Sequence, residues 1–149
     1  MKVLNTGKKR YEIPFENGDV AVLEFNPLDY LFMMKFQNLE KAVGEIILKF
    51  NEEKKSKLGS EELEHALATT RKICDEFDNV FGKGSGDEIF KVCSPISIIN
   101  VDGKDMYYPF YFISEFMPVV AGDITDNAKK SAEKAKELVS KYESVDDAE

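Results

Sequence analysis

Apolar and polar residues alternate along KRYEIPFENGDVAVLEF, with Tyr11, Ile13 and Phe15 in one run and Val20, Val22 and, less regularly, Leu23 and Phe25 in the next. A period of two is that of a half-buried strand. Asn17-Gly18 lies between the runs and accepts positive φ, so the segment predicts a β-hairpin with a tight turn. Pro14 has no N–H to give a ladder, which assigns the first strand to an edge.

The period then lengthens. Leu28, Phe32, Phe36, Leu39, Val43, Ile46 and Phe50 recur by threes and fours, the spacing of one helical stripe. Asn26 suits the cap, Pro27 the first helical position and Asp29 the positive end of the dipole. Tyr30, Leu31, Met33 and Met34 make the first turns apolar on nearly every side, so either the hairpin wraps this end or a partner does. The charged stretch NEEKKSKLG breaks the pattern. A second helix follows, with Ser60 as cap and Leu63, Ala66, Leu67, Thr70, Ile73, Cys74, Phe77, Val80 and Phe81 at helical spacing. Gly82 ends it in a left-handed cap, and the short linker predicts an antiparallel pair.

Gly82, Gly84 and Gly86 crowd the next segment, DEFDNVFGKGSGDEIF. A phosphate loop requires a preceding strand and a lysine after the last glycine, and here a helix precedes and Lys83 sits between glycines. A calcium loop requires acids at alternate positions, and Asp78, Val80 and Gly82 do not supply them. The mechanical reading fits: Gly82 closes one helix, Gly84 and Gly86 let the chain turn, and Ser85 with Glu88 forms a capping box that opens the next helix.

Beyond Pro95 the pattern supports a loop followed by a helix beginning at Pro109 and burying Phe110, Ile113, Phe116 and Met117, with a short hairpin over residues 96–108, turning at Asp102-Gly103, as the alternative. Tyr107 to Phe112 makes a greasy surface, and Pro118 kinks or ends the helix. From Asp123 large apolar residues become sparse. Asp126 caps a final helix with a thin stripe of Ala128, Ala132, Ala135, Leu138, Val139 and Tyr142, and ESVDDAE reads as disordered. The fold class is therefore mainly α (α+β): an N-terminal β-hairpin followed by an antiparallel helical bundle. Residues 1–122 form one domain, and 123–149 a polar helix and tail.

Composition narrows the chemistry. The 149 residues carry 28 acids against 20 bases, a formal charge of −8, which disfavours nucleic acid as a partner. No run of about 20 apolar residues is present, so no membrane partner is expected. The start is polar, unlike an export signal, which points to the cytoplasm. Two cysteines, Cys74 and Cys93, imply neither a disulfide nor a zinc site, and Cys74 falls at a buried helical position. His65 is the single histidine and reads as a surface residue. No catalytic, metal or cofactor motif is present, so a non-enzyme without cofactors is expected.

The opening strand unit ending in LEFNP, the long helix and the second helix running into CDEFDNVFGKGSGDEIF resemble tail assembly chaperones of long-tailed bacteriophages. In that family a helix ends in a segment like D-x-x-F-G-x-G followed by an acid and x-F. The matching positions are Asp78, Phe81, Gly82, Gly84, Asp87, Glu88 and Phe90, and the likeness runs from about Tyr11 to Val120. The resemblance implies a non-catalytic protein of the host-cell cytoplasm. Such a protein holds the tape-measure protein before tail-tube subunits polymerise around it, and it often has a longer frameshifted form. The client surface expected here is Leu31, Met33 and Met34, with Phe90, Phe110 and Phe112. The tail-tube protein is a further candidate partner, and weak self-association is expected. The alternative is a structural protein of the virion, in the tail tube or a connector.

Overall fold

In a computed structural model of the chain, described over residues 1–147 and without the side chains of 127, 128, 131 and 141–147, two hairpins alternate with helices. The order is β1 (Lys9–Pro14), β2 (Val20–Phe25), α1 (Tyr30–Glu53), a 3-10 turn (Lys54–Ser56), α2 (Ser60–Phe81), α3 (Ser85–Ile89), β3 (Ile98–Val101), β4 (Lys104–Tyr107) and α4 (Tyr108–Asp147). The protein is mainly α, with an N-terminal antiparallel hairpin ahead of the helices and a second small hairpin. Contacts divide it into two compact units, Met1–Glu115 and Phe116–Glu149.

β1 and β2 pair antiparallel, Tyr11 opposite Leu23 and Ile13 opposite Ala21. The turn is one residue longer than Asn17-Gly18 alone: Gly18 N–H donates to Phe15 O and Phe15 N–H to Asp19 O, with φ +92° at Gly18 only. This is a type I turn closed by a left-handed glycine. The longer turn resets β2. Its buried residues are Ala21, Leu23 and Phe25, whereas Val20 is exposed and Val22 half-buried. A one-residue slip exchanges the faces of a strand: of the expected positions Leu23 and Phe25 are buried, whereas Val20 and Val22 are corrected, Ala21 taking the inward place.

The first helix starts later than expected. Asn26 instead accepts Leu28 N–H through its side chain and closes a turn, Asp29 N–H donating to Asn26 O. Asp29 is the cap, accepting Leu31 N–H at 3.0 Å. Phe32, Phe36, Leu39 and Val43 are buried as expected, Ile47 is buried in place of the half-buried Ile46, Phe50 is half-buried, and Leu28 stands outside the helix and exposed. α2 lies antiparallel to α1: Phe81 at its end meets Phe32 and Phe36 near the start of α1, and His65 near its beginning meets Phe50 near the end of α1. Gly59, not Ser60, precedes the helix as its cap residue.

The core of the first unit is a chain of aromatic contacts centred on Phe81. Its ring lies 5.2 Å from Phe25 of the hairpin, 5.9 and 5.6 Å from Phe32 and Phe36 of α1, 6.2 Å from Phe77, and 6.4 Å from Phe112 of α4. Tilted and edge-on pairs at these separations add to the burial of the rings themselves. Tyr11 stacks on Phe25 at 4.6 Å and Phe90 stands edge-on to Phe77 at 4.9 Å, so β1 and the residue that follows α3 join the cluster through one neighbour each.

Residues 96–108 take the hairpin form, the alternative to a loop. Asp102 and Gly103 both have positive φ, +52° and +84°, the requirement of a type I′ turn. α4 then runs without interruption from Tyr108 through Pro118 to Asp147. Pro118 does not end the helix, and Asp126 lies within α4 rather than capping a new one; the ladder passes Pro118 with one donor missing. Ile113 and Phe116 are buried as the period requires, and Met117 is exposed. α4 is assigned as far as Asp147, and the last two residues of ESVDDAE lie outside the described residues. Ala132, Ala135, Leu138 and Val139 of the thin stripe are exposed, and the Ala128 and Tyr142 side chains lie outside the described residues.

Gly86 packs on α2 so closely that a Cβ there would sit 2.7 Å from Cys74 O, whereas one at Gly44, within α1, would meet only Phe110 at 3.9 Å. Gly86→Ala should destabilise the protein by about 1–3 kcal/mol, and Gly44→Ala should stabilise it by about 0.5–1 kcal/mol. Urea unfolding of the two variants tests the pair of opposite signs.

Candidate partner-binding surface

The glycine connector is fastened from within. Gly82 N–H donates to Asp78 O at 2.8 Å, Ser85 N–H to Gly82 O and Glu88 N–H to Gly84 O. Gly82 takes φ +109°, ψ 158°, a region open essentially to glycine and outside the left-handed cap expected of it. Gly84 is the left-handed residue, at φ +89°, and it caps α3. Ser85 is therefore the first residue inside α3, and the expected capping box with Glu88 does not form. The donor at the start of α3 is met from outside: Asp78 of α2 accepts Gly86 N–H at 2.7 Å. A carboxylate on a helix N-terminus makes a charge-assisted bond that a serine hydroxyl does not match. Gly82, Gly84, Gly86 and Asp78 thus each have a mechanical duty, and the Asp78 bond across eight residues is hidden from local sequence patterns.

The six residues expected to meet a partner separate into two groups. Leu31 is 60% exposed and Met34 is 40% exposed, with Met33 half-buried behind them. Tyr30, 73% exposed, extends the patch, and Leu28 adds to it just before the helix. Positions 30, 31 and 34 share one surface of a helix, since residues three and four apart are neighbours. The hairpin covers only the other side of this turn, through Phe25 stacked 4.6 Å from Phe32.

The remaining three are turned towards the interior. Phe112 is 5% exposed and edge-on to Phe77 and Phe81, which corrects its assignment to an open surface: it is a core residue. Phe90 is half-buried between Phe77 and Tyr108, and Phe110 is half-buried against Gly44. The greasy run at 107–112 is consumed largely by packing. Tyr107 donates to the Asn51 side chain and Tyr108 to Ile89 O.

His65 is also corrected. Its side chain is 14% exposed, stacks on Phe50 at 5.1 Å and bonds Glu53 through Nε2 at 2.9 Å, clasping the two helices near their connecting turn. Nδ1 is buried without a partner. No hydroxyl or thiol is bonded to the imidazole, so the pair does not form a nucleophile–base arrangement. Among the described residues no three His, Cys, Asp or Glu side chains gather as metal ligands. No helix among them is long and apolar enough to cross a membrane. Cys74 is half-buried; burial first, then the carboxylates of Asp87, Asp78 and Asp75, push its thiol up to about 11. A thiol held neutral in this way is a poor nucleophile.

No family model matches the chain, and no curated protein or solved structure matches it with statistical significance.

The sign of the Cys74 effect on stability follows from linkage. The ordinary thiol value is 9.0 and the folded value about 11, so the unfolded chain gives up this proton first as pH rises. The contribution is fully present below about pH 9 and is lost by about pH 11. The stability of the wild type should fall relative to Cys74→Ala across that window, as measured by urea unfolding of both proteins at several pH values.

Proposed function

We propose that this protein is a tail assembly chaperone of a long-tailed bacteriophage that holds the tape-measure protein through side-chain contacts and catalyses no reaction. The observation that carries the reading is the exposed apolar patch of Tyr30, Leu31 and Met34 on the outer side of α1. It adjoins a helical scaffold whose connector carries the residues of the family's motif, Asp78, Phe81, Gly82, Gly84, Asp87, Glu88 and Phe90. A tape-measure protein is long, helical and sticky until covered. An apolar strip on a helix receives such a client by side-chain packing, and methionine adapts to varied partners. The formal charge of −8 opposes indiscriminate association of chains that expose such a strip.

The test is co-expression with a fragment of a phage tape-measure protein. The wild type should keep the fragment soluble and co-purify with it. Leu31→Asp/Met34→Asp, with unchanged helical circular dichroism, should reduce capture roughly tenfold or more, since two buried apolar contacts of about 1.5 kcal/mol each are replaced by charges. Undiminished capture would remove the strip from the proposal. Mass spectrometry of purified particles addresses the role itself: an assembly chaperone is absent from the finished tail, and an abundant signal would make the protein a structural subunit.

A further inference from the structure

β1 and β2 form a two-stranded sheet, so each strand keeps one edge that the other does not cover. The register decides which backbone groups reach those edges. Phe15 N–H donates to Asp19 O, and antiparallel pairs alternate between bonded and non-bonded. Ile13–Ala21, Tyr11–Leu23 and Lys9–Phe25 are therefore the bonded pairs, and the pairs between them turn their N–H and C=O groups outward. On β1 these outward residues are Arg10, Glu12 and Pro14, and Pro14 blunts the edge because it has no N–H. On β2 they are Val20, Val22 and Glu24, and no proline protects them.

An open cleft of about 540 Å³ adjoins that unblunted strand, lined by Val22 and Glu24 together with Gly82, Lys83, Gly84 and Ser85 of the connector, and by Lys8. A Cβ at Gly82 or Gly84 would meet no atom within 4 Å, so the connector presents bare backbone to open space. The charges are unequal in availability. Glu24 is held by Arg10 at 3.3 Å and Glu88 by Lys91 at 2.7 Å, whereas Lys8 and Lys83 meet no carboxylate among the described residues. In a chain of net charge −8, the cleft offers two uncommitted cations.

We infer that this cleft takes an extended, acidic peptide segment of a partner protein, added as a third strand along β2 with its carboxylates on Lys8 and Lys83. Backbone pairing with Val20, Val22 and Glu24 supplies affinity without regard to sequence, and the lysines select for acidic side chains. The β3–β4 hairpin is less suited to this role, because strands of four residues offer few backbone groups. The inference does not rest on the α1 patch or on a phage role.

The experiment uses the full chain and three capped, fluorescein-labelled peptides: valine and threonine alternating with aspartate, the same with lysine, and a helix-forming peptide with the same number of aspartates. Fluorescence anisotropy should show the extended aspartate peptide binding about tenfold or more tightly than either of the others. Its addition should slow hydrogen exchange at the Val20, Val22 and Glu24 amides. Val22→Pro removes an outward N–H without touching a bonded pair, and should weaken binding roughly tenfold. The surface double variant K8E/K83E should reverse the preference towards the lysine peptide, and it decides the matter even where Val22→Pro does not fold. No binding of the aspartate peptide, equal affinity for all three, or an aspartate preference that survives K8E/K83E would overturn the inference.

Discussion

The position of one ring constrains the rest of the first unit. Phe81 is the last residue of α2, and its side chain is the point at which the hairpin, α1, α2 and the start of α4 meet through Phe25, Phe32, Phe36, Phe77 and Phe112. A large side chain at the end of a helix is buried only if the chain leaves at once and returns over it. Gly82 provides the departure with a backbone conformation that other residues adopt at a cost of order 1–3 kcal/mol. Gly84 provides the return, Asp78 fixes where α3 begins, and Gly86 lets that short helix lie directly on Cys74. The glycines and the ring form one device: without the turn the ring has no roof, and without the ring the turn encloses nothing.

How much of this could be read from the residues depends on the range of the interaction. The α1 stripe of Phe32, Phe36, Leu39 and Val43 is periodic, and periodicity is a local property, so its buried face was legible. The Asp102-Gly103 turn was legible for the same reason, because positive φ at both positions is a local demand. The face of β2 was not. Leu23 and Phe25 fit one phase and Val20 and Val22 the other, and the choice falls to the turn geometry and to the rings waiting above, Phe32 and Phe81. Asp78 as the cap of α3, and His65 as a clasp on Glu53, depend on residues brought together by folding and carry no mark in their neighbours. α4 departs from the local rule in another way: a proline that would end a free helix is tolerated where the helix is already anchored on its N-terminal side by Phe112, Ile113 and Tyr108.

The candidate surface shows the same division. Composition marked Leu31, Met33, Met34, Phe90, Phe110 and Phe112 as an excess of apolar residues, and it could not say which of them the fold would absorb. The packing of α4 against α2 absorbs Phe112 and much of Phe90. Tyr30, Leu31 and Met34 remain exposed, and the hairpin meets the buried side of this turn through Phe25 stacked on Phe32. An exposed helical patch of this kind is costly in water and carries selective value only when something covers it. That is why the surface, and not a constellation of reactive groups, bears the functional reading.

The connector unites the two halves of the argument. Closing over Phe81 requires glycines at positions 82 and 84, and glycines leave the backbone unshielded on the side away from the ring. Shielding that side with larger residues is not open to the sequence, because φ of +109° and +89° exclude them at little cost to any other requirement. The fold must therefore tolerate exposed backbone beside the unblunted edge of β2. Lys83 stands between the two glycines and Lys8 across the cleft, and together they set the charge of whatever approaches. A constraint imposed by the core thus creates, on the opposite face of the same connector, a place where another chain's backbone can be received.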